Sequence, residues 1–172
     1  NIKNRGKYST FSICWLDVFV ADILKSMIVA VCSSAHFYKQ AVDIAEDLES
    51  IGHTVLLPET AKMMRKSGDF EVTHYKTWFW NPNDYHKKAG FIRAHFDEIE
   101  KSDVILVLNY EKNGQKNYIG PNVLMEMALA FWLNKPIYVL NELPDPSPFE
   151  EELKGFQPTI INGDLKKIKA SN

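Results

Sequence analysis

The chain has 172 residues, of which 45% are hydrophobic and 24% charged, enough length and apolar content for one globular domain with a substantial core. Its formal net charge of −2, with lysines scattered among acids, excludes a polybasic groove for polymeric nucleic acid and a basic patch for an anionic membrane. The two cysteines, Cys14 and Cys32, form no C-x-x-C pattern, so the sequence predicts reduced thiols in a cytoplasmic protein.

Residues 1–26 stand apart as an N-terminal extension or leader. The stretch STFSICWLDVFVADIL is apolar, but Asp17 and Asp22 interrupt it and no small-residue cleavage site follows, which argues against an export signal. It is also too short and too charged to cross a bilayer. Ser9 or Thr10 would cap a helix carrying Trp15, Phe19 and Ile23 on one face, and the alternative is leader sequence ahead of a start at Met27.

From residue 27 to 172 the pattern is that of a single α/β domain. MIVAVCS is a continuous apolar run suited to a strand buried on both faces. FYKQAVDIAEDLESIG then places Ala41, Ile44, Ala45 and Leu48 on one helical face, with Gly52 as its stop. HTVLLP reads as a second strand, so the opening unit is a right-handed parallel crossover. Thr60 to Asn83 has no clean period and is rich in aromatics, which predicts a functional loop or lid. Helical spacing returns in DYHKKAGFIRAHFDEIEKS, whose basic HKKAGFIR portion reads as a solvated face, with attraction of a phosphate as the lesser alternative, and DVILVLN is a third strand. After the polar turn EKNGQKNYIG comes the apolar helix from Pro121 toward Asn134, then the strand KPIYVLN, a short helix in PFEEELKGF and an edge strand in PTIING. Repeated alternation with apolar strands predicts a doubly wound, flavodoxin- or Rossmann-like domain with a five-stranded, mainly parallel sheet. Ligands of such sheets bind beyond the carboxyl ends of the strands, here near Cys32 to Ser34, Pro58 to Glu59, Asn109 to Tyr110 and Asn141.

One carboxylate, Glu126, sits inside the run VLMEMALAFWL, where a helix would be buried on nearly all sides. An ionised group there must find a partner or face a cavity. Its position within two turns of the helix start leads to the expectation that the helix dipole keeps it charged. The plain alternative is a buried pair with Lys116, Arg93 or a tyrosine hydroxyl.

The segments MIVAVCSSAHFYKQAVDIAEDLESIGHTVLLPE and SDVILVLNYEKNGQKNYIGPNVLMEMALAFWLNKPIYVLN together resemble the nucleoside 2-deoxyribosyltransferase-like superfamily, and more closely its small archaeal and bacterial members. The likeness runs from about Met27 to Asp164, and its most specific part is NYIGPNVLMEMALA. It implies a homodimer or higher homo-oligomer that cleaves the N-glycosidic bond of a deoxynucleoside or its monophosphate. In the neighbourhood G-x-x-x-E-x-x-x-A it implies Glu126 as nucleophile, while His95 and Gly120 stand where well-characterised transferases carry acids.

The chemistry agrees with a carboxylate that stabilises an oxocarbenium-like state and traps the sugar. His95 and Asp97 on the preceding helix are the candidates for delivering a proton to the departing base. Ser33 and Ser34 are expected to bond a phosphate or a ribose, or simply to cap the next helix. Asn109, Asn117 and Asn122, with Tyr118 and Gly120 beside them, are expected either around the substrate or as residues that only stabilise turns, and Trp78, with Phe79 and Trp80, either stacks on a base or anchors the loop or a subunit contact. The five histidines show no H-x-x-x-H or H-E-x-x-H spacing, and neither a G-x-G-x-x-G nor a P-loop occurs, so no metal and no cofactor is expected. A non-catalytic nucleotide-sensing module of the same fold is the competing expectation.

Overall fold

The computed structural model describes residues 26–169, and the N-terminal helix or leader expected over residues 1–26 lies outside that range but for Ser26. Five strands, β1 (Ile28–Ser33), β2 (Thr54–Leu56), β3 (Val104–Leu108), β4 (Ile137–Val139) and β5 (Thr159–Ile160), form one sheet in the order β2-β1-β3-β4-β5. Every adjacent pair is parallel. This is the doubly wound order, and the strand sequence reverses between β1 and β3, which opens a crevice at their carboxyl ends.

The strands read as unbroken apolar runs because both faces are covered, and their period of two divides each run between two cores. Val29, Val31, Val104, Leu106, Leu108 and Tyr138 point to one face. Helix α1 (Tyr38–Ser50) covers that face with Ala41, Val42, Ala45 and Leu48. Ala30, Cys32, Ile105, Val107, Ile137 and Val139 point to the other. Helices α4 (Tyr85–Lys101), α5 (Pro121–Trp132) and α6 (Glu150–Gly155) cover this second face through Ile99, Val123, Met127, Ala130 and Leu153.

The segment expected to be an aperiodic lid contains a helix, α2 (Glu59–Ser67), before the short helix α3 (Val72–Tyr75) and two 3-10 turns. Pro58 precedes α2 and Gly68, at φ 73°, closes it in the left-handed conformation. Its buried stripe is only Thr60, Ala61 and Met64, too narrow to register as an apolar period. Ion pairs from Arg65 to Glu46 and Glu49 tie it to α1 as well. Helix α5 also departs from expectation, since Met125, Phe131 and Trp132 are exposed and only one face is buried. Among the described residues no helix is long and apolar enough to cross a membrane.

Candidate active site

Two core positions explain how the site assembles. Cys32 is the penultimate residue of β1 and faces α4 and α5. On α4, His95 lies one turn before the buried Ile99, so the spacing that seats Ile99 in the core also turns His95 toward β1. On α5, Glu126 lies three residues after Val123 and four before Ala130, both buried, so helical geometry carries its carboxylate to the same place.

The outcome is a compact cluster. His95 Nε2 lies 3.7 Å from Cys32 Sγ and 3.9 Å from Glu126 Oε1. On its other side His95 Nδ1 meets Glu98 Oε2 at 2.8 Å, and Glu98 in turn accepts from Lys62 of α2. Glu98 is thus held ionised. Burial alone would raise its carboxyl, but the hydrogen bonds and charges of His95 and Lys62 bring it below the ordinary range. Glu126 has no such support: its Oε2 is buried without a hydrogen-bond partner among the described residues. Burial pushes its carboxyl up to about 7, against the opposing influence of His95, the Cys32 thiol and Lys88. The expected dominance of the helix dipole is therefore corrected, because desolvation at this depth outweighs a helix-end effect of about 0.3–1 kcal/mol. The Cys32 thiol, raised well above its usual range by burial and then by the charge of Glu126, is neutral.

Glu126 and His95 form one wall of a half-open cavity of about 230 Å³. Ser33 and Ser34 close it at the end of β1, Trp78 and Phe91 on the side of the former lid, and Tyr118, Gly120 and Asn122 at the start of α5. At Gly120 the Tyr118 ring lies close over the backbone, and a Cβ there would stand 2.7 Å from the Tyr118 hydroxyl, so a larger residue would have to displace that ring. Trp78 is 6% exposed and packs against Phe91, whereas Phe79 and Trp80 are 60% and 76% exposed and do not line the cavity.

Three of the expected site residues are not brought together with the rest. Asp97 is exposed on the outer side of α4, and the acid that reaches His95 is Glu98, one position on. The sequence offered both, and a difference of about 100° around the helix decides between them. Asn117 lies outside the cavity in a left-handed turn at φ 53°, a conformation asparagine adopts readily. Asn109 is fully buried and serves the fold: its side chain donates to the carbonyls of Asn141 and Glu142 at 3.2 and 2.7 Å and accepts from Asn141 N at 2.9 Å. Asn109→Ala is expected to destabilise the protein by about 2 kcal/mol, read from urea unfolding midpoints, because three backbone groups lose their partner.

Lining residues that the sequence did not single out include Tyr38, Lys76 and Lys112, and Lys88 was read as part of a solvated face. Lys87 does face outward, paired with Asp84 at 2.8 Å, while Lys88 turns into the cavity. Nothing in HKKAGFIR separates the two lysines until the helix is docked. The absence of metal-type histidine spacing is also an incomplete guide. Cys32, His95 and Glu126 bring donor atoms within 4.8 Å of one another from three different elements.

No family model matches the chain, and no curated protein sequence matches it.

Proposed function

We propose that this cavity cleaves the N-glycosidic bond of a small nucleoside or nucleotide, with Glu126 as the nucleophile. The observation that carries the reading is Glu126 itself: a carboxylate bordering a cavity at the carboxyl edge of the sheet, with one oxygen unpartnered and no lysine or arginine pair among the described residues. A structural glutamate at this depth would be expected in a tight ion pair. The mostly apolar wall formed by Trp78, Phe91 and Val123 suits a base and sugar.

In this reading a carboxylate oxygen of Glu126 attacks C1′ as the C1′–N bond breaks. The bonding pair leaves with the base, which takes up a proton, and the sugar remains as an ester on Glu126. Water or a second base then attacks C1′, loses a proton, and frees the carboxylate. His95 acts beside the nucleophile. Its Nδ1 is oriented by Glu98 and its Nε2 faces Glu126, so it is a positioning residue that shifts the proton balance of Glu126 toward the ionised form.

The purified protein, incubated with a panel of nucleosides and nucleoside monophosphates, should release free base from at least one of them by chromatography. The sensor reading predicts ligand-induced thermal stabilisation with no free base from any compound. Because the ionised carboxylate is the reactive form, activity should rise with pH through about 7. His95→Asn removes an influence that lowers Glu126, so the rising limb of kcat/KM against pH should move to higher pH, with about tenfold lower activity at pH 7. An unmoved limb would remove His95 from this role.

A further inference from the structure

Three different elements bring a thiol, an imidazole and a carboxylate to one point: Cys32 from β1, His95 from α4 and Glu126 from α5, with donor atoms all within 4.8 Å of one another. The glycosidic chemistry uses the carboxylate and the imidazole but gives the thiol no task. A tetrahedral zinc ion, bonded at about 2.3 Å to sulfur and about 2.0–2.2 Å to nitrogen and oxygen, sets its ligand atoms about 3.4–3.6 Å apart. From His95 Nε2 the spacings are 3.7 Å to Cys32 Sγ and 3.9 Å to Glu126 Oε1, each within about 0.5 Å of that geometry. The third spacing closes by a rotation of the Glu126 carboxyl, whose Oε2 has no hydrogen-bond partner among the described residues to hold it back.

The groups behind these donors fit the same purpose. His95 Nδ1 donates to Glu98 Oε2 at 2.8 Å, which leaves the lone pair on Nε2, the nitrogen that faces Cys32 and Glu126. A carboxylate behind a ligating histidine fixes its ring and raises its basicity toward a metal. Glu98 is itself paired with Lys62, so this outer layer adds no net charge. A thiolate and a carboxylate then match the two positive charges of the ion, and the buried cluster is neutral with it in place. Sulfur, imidazole nitrogen and one carboxylate are the donor set of zinc and its neighbours, not of magnesium or calcium, which take oxygen ligands. His95 and Glu126 also line the cavity, so the remaining position of a tetrahedron opens toward it.

We infer that Cys32, His95 and Glu126 form a binding site for zinc or another divalent ion of similar softness, and that the bound ion withdraws Glu126 from attack on substrate. Binding releases the thiol proton, and any proton on Glu126, to solvent as the bonds from sulfur and oxygen to the metal form. A carboxylate whose charge is engaged by a dication is a poor nucleophile, so occupancy and base release exclude one another. The metal site rests on the three donors and Glu98 alone; the inhibition rests on the catalytic reading of Glu126.

Binding and inhibition are tested separately. Chelator-treated protein titrated with Co²⁺ should take up one ion per chain and develop the thiolate-to-cobalt charge-transfer band, and Zn²⁺ should displace the cobalt. Cys32→Ala should abolish the band and weaken zinc about 100-fold or more, and Glu98→Ala should weaken zinc about 10- to 100-fold with the band retained. Cys14→Ala should change neither. X-ray absorption of zinc-loaded Cys14→Ala protein gives the answer even if Cys32→Ala fails to fold: one sulfur at about 2.3 Å with nitrogen and oxygen neighbours at about 2.0–2.2 Å is expected. A shell of nitrogen and oxygen only, or a cobalt band that survives Cys32→Ala, would overturn the metal site. In the base-release assay one equivalent of Zn²⁺ should slow the metal-free wild type at least about tenfold, and excess chelator should restore it. Full activity with zinc bound through Cys32 would overturn the inhibition. Zinc bound through Cys32 in a protein that, metal-free, releases base from no compound would keep the metal site and overturn the catalytic reading.

Discussion

Glu126→Gln is expected to lower the release of free base by about a thousandfold or more while leaving substrate binding in place. A glutamine amide has nearly the shape of the carboxyl group but cannot form the glycosyl ester, and loss of a covalent nucleophile is among the largest single-residue effects in enzymes. Its surroundings make the comparison clean. The side chain borders a cavity, so an isosteric change disturbs no ion pair with lysine or arginine among the described residues. Base release followed by chromatography gives the rate, and mass spectrometry of wild-type protein quenched during turnover should show the added sugar. If Glu126→Gln retains wild-type activity, another group attacks C1′ and the mechanism fails at its first step.

The same substitution should stabilise the fold at alkaline pH, by about 3 kcal/mol above pH 7 and by little near pH 4. The sign follows from the proton balance. The Glu126 carboxyl is raised from 4.5 to about 7 by burial, so the folded protein holds its proton more tightly than the unfolded chain does. Below pH 4.5 both states are protonated and the group is neutral in its effect. Between 4.5 and about 7 the unfolded chain ionises first, and wild-type stability falls as pH rises until both states are ionised. Glutamine carries no such penalty. Urea unfolding of both proteins at pH 4, 6 and 8 measures it, and a constant difference across that range would show that Glu126 is not strained by its burial. Gain of stability on loss of a reactive group is the expected signature of a site organised for chemistry rather than for folding.

The two effects separate the competing functions. A sensor that uses Glu126 only to fill space would show the stability change without any rate to lose. An enzyme would show both, and the rising limb of its pH profile would coincide with the pH range over which the stability difference grows.

What the sequence determined by itself was the architecture and one residue. Uninterrupted apolar runs such as MIVAVCS and DVILVLN can be buried on both faces only in a parallel sheet covered by helices, so local pattern and global fold demand the same thing. Glu126 was visible for a related reason: a lone carboxylate in an apolar helix is an inconsistency that has to be resolved by a partner or a cavity. His95, Ser33, Ser34, Trp78, Tyr118, Gly120 and Asn122 were named from the sequence too and do line the cavity, but the tertiary structure alone decided between neighbouring candidates. Glu98 rather than Asp97 orients His95, Asn109 binds backbone rather than ligand, α2 arises from a stripe of three small or flexible residues, and Lys88 turns inward while Lys87 turns out. Each of these depends on the rotation of a docked helix or the path of a loop between strands distant in sequence. Neighbouring residues of identical charge and propensity are separated only when packing assigns one of them to the solvent and the other to the cavity.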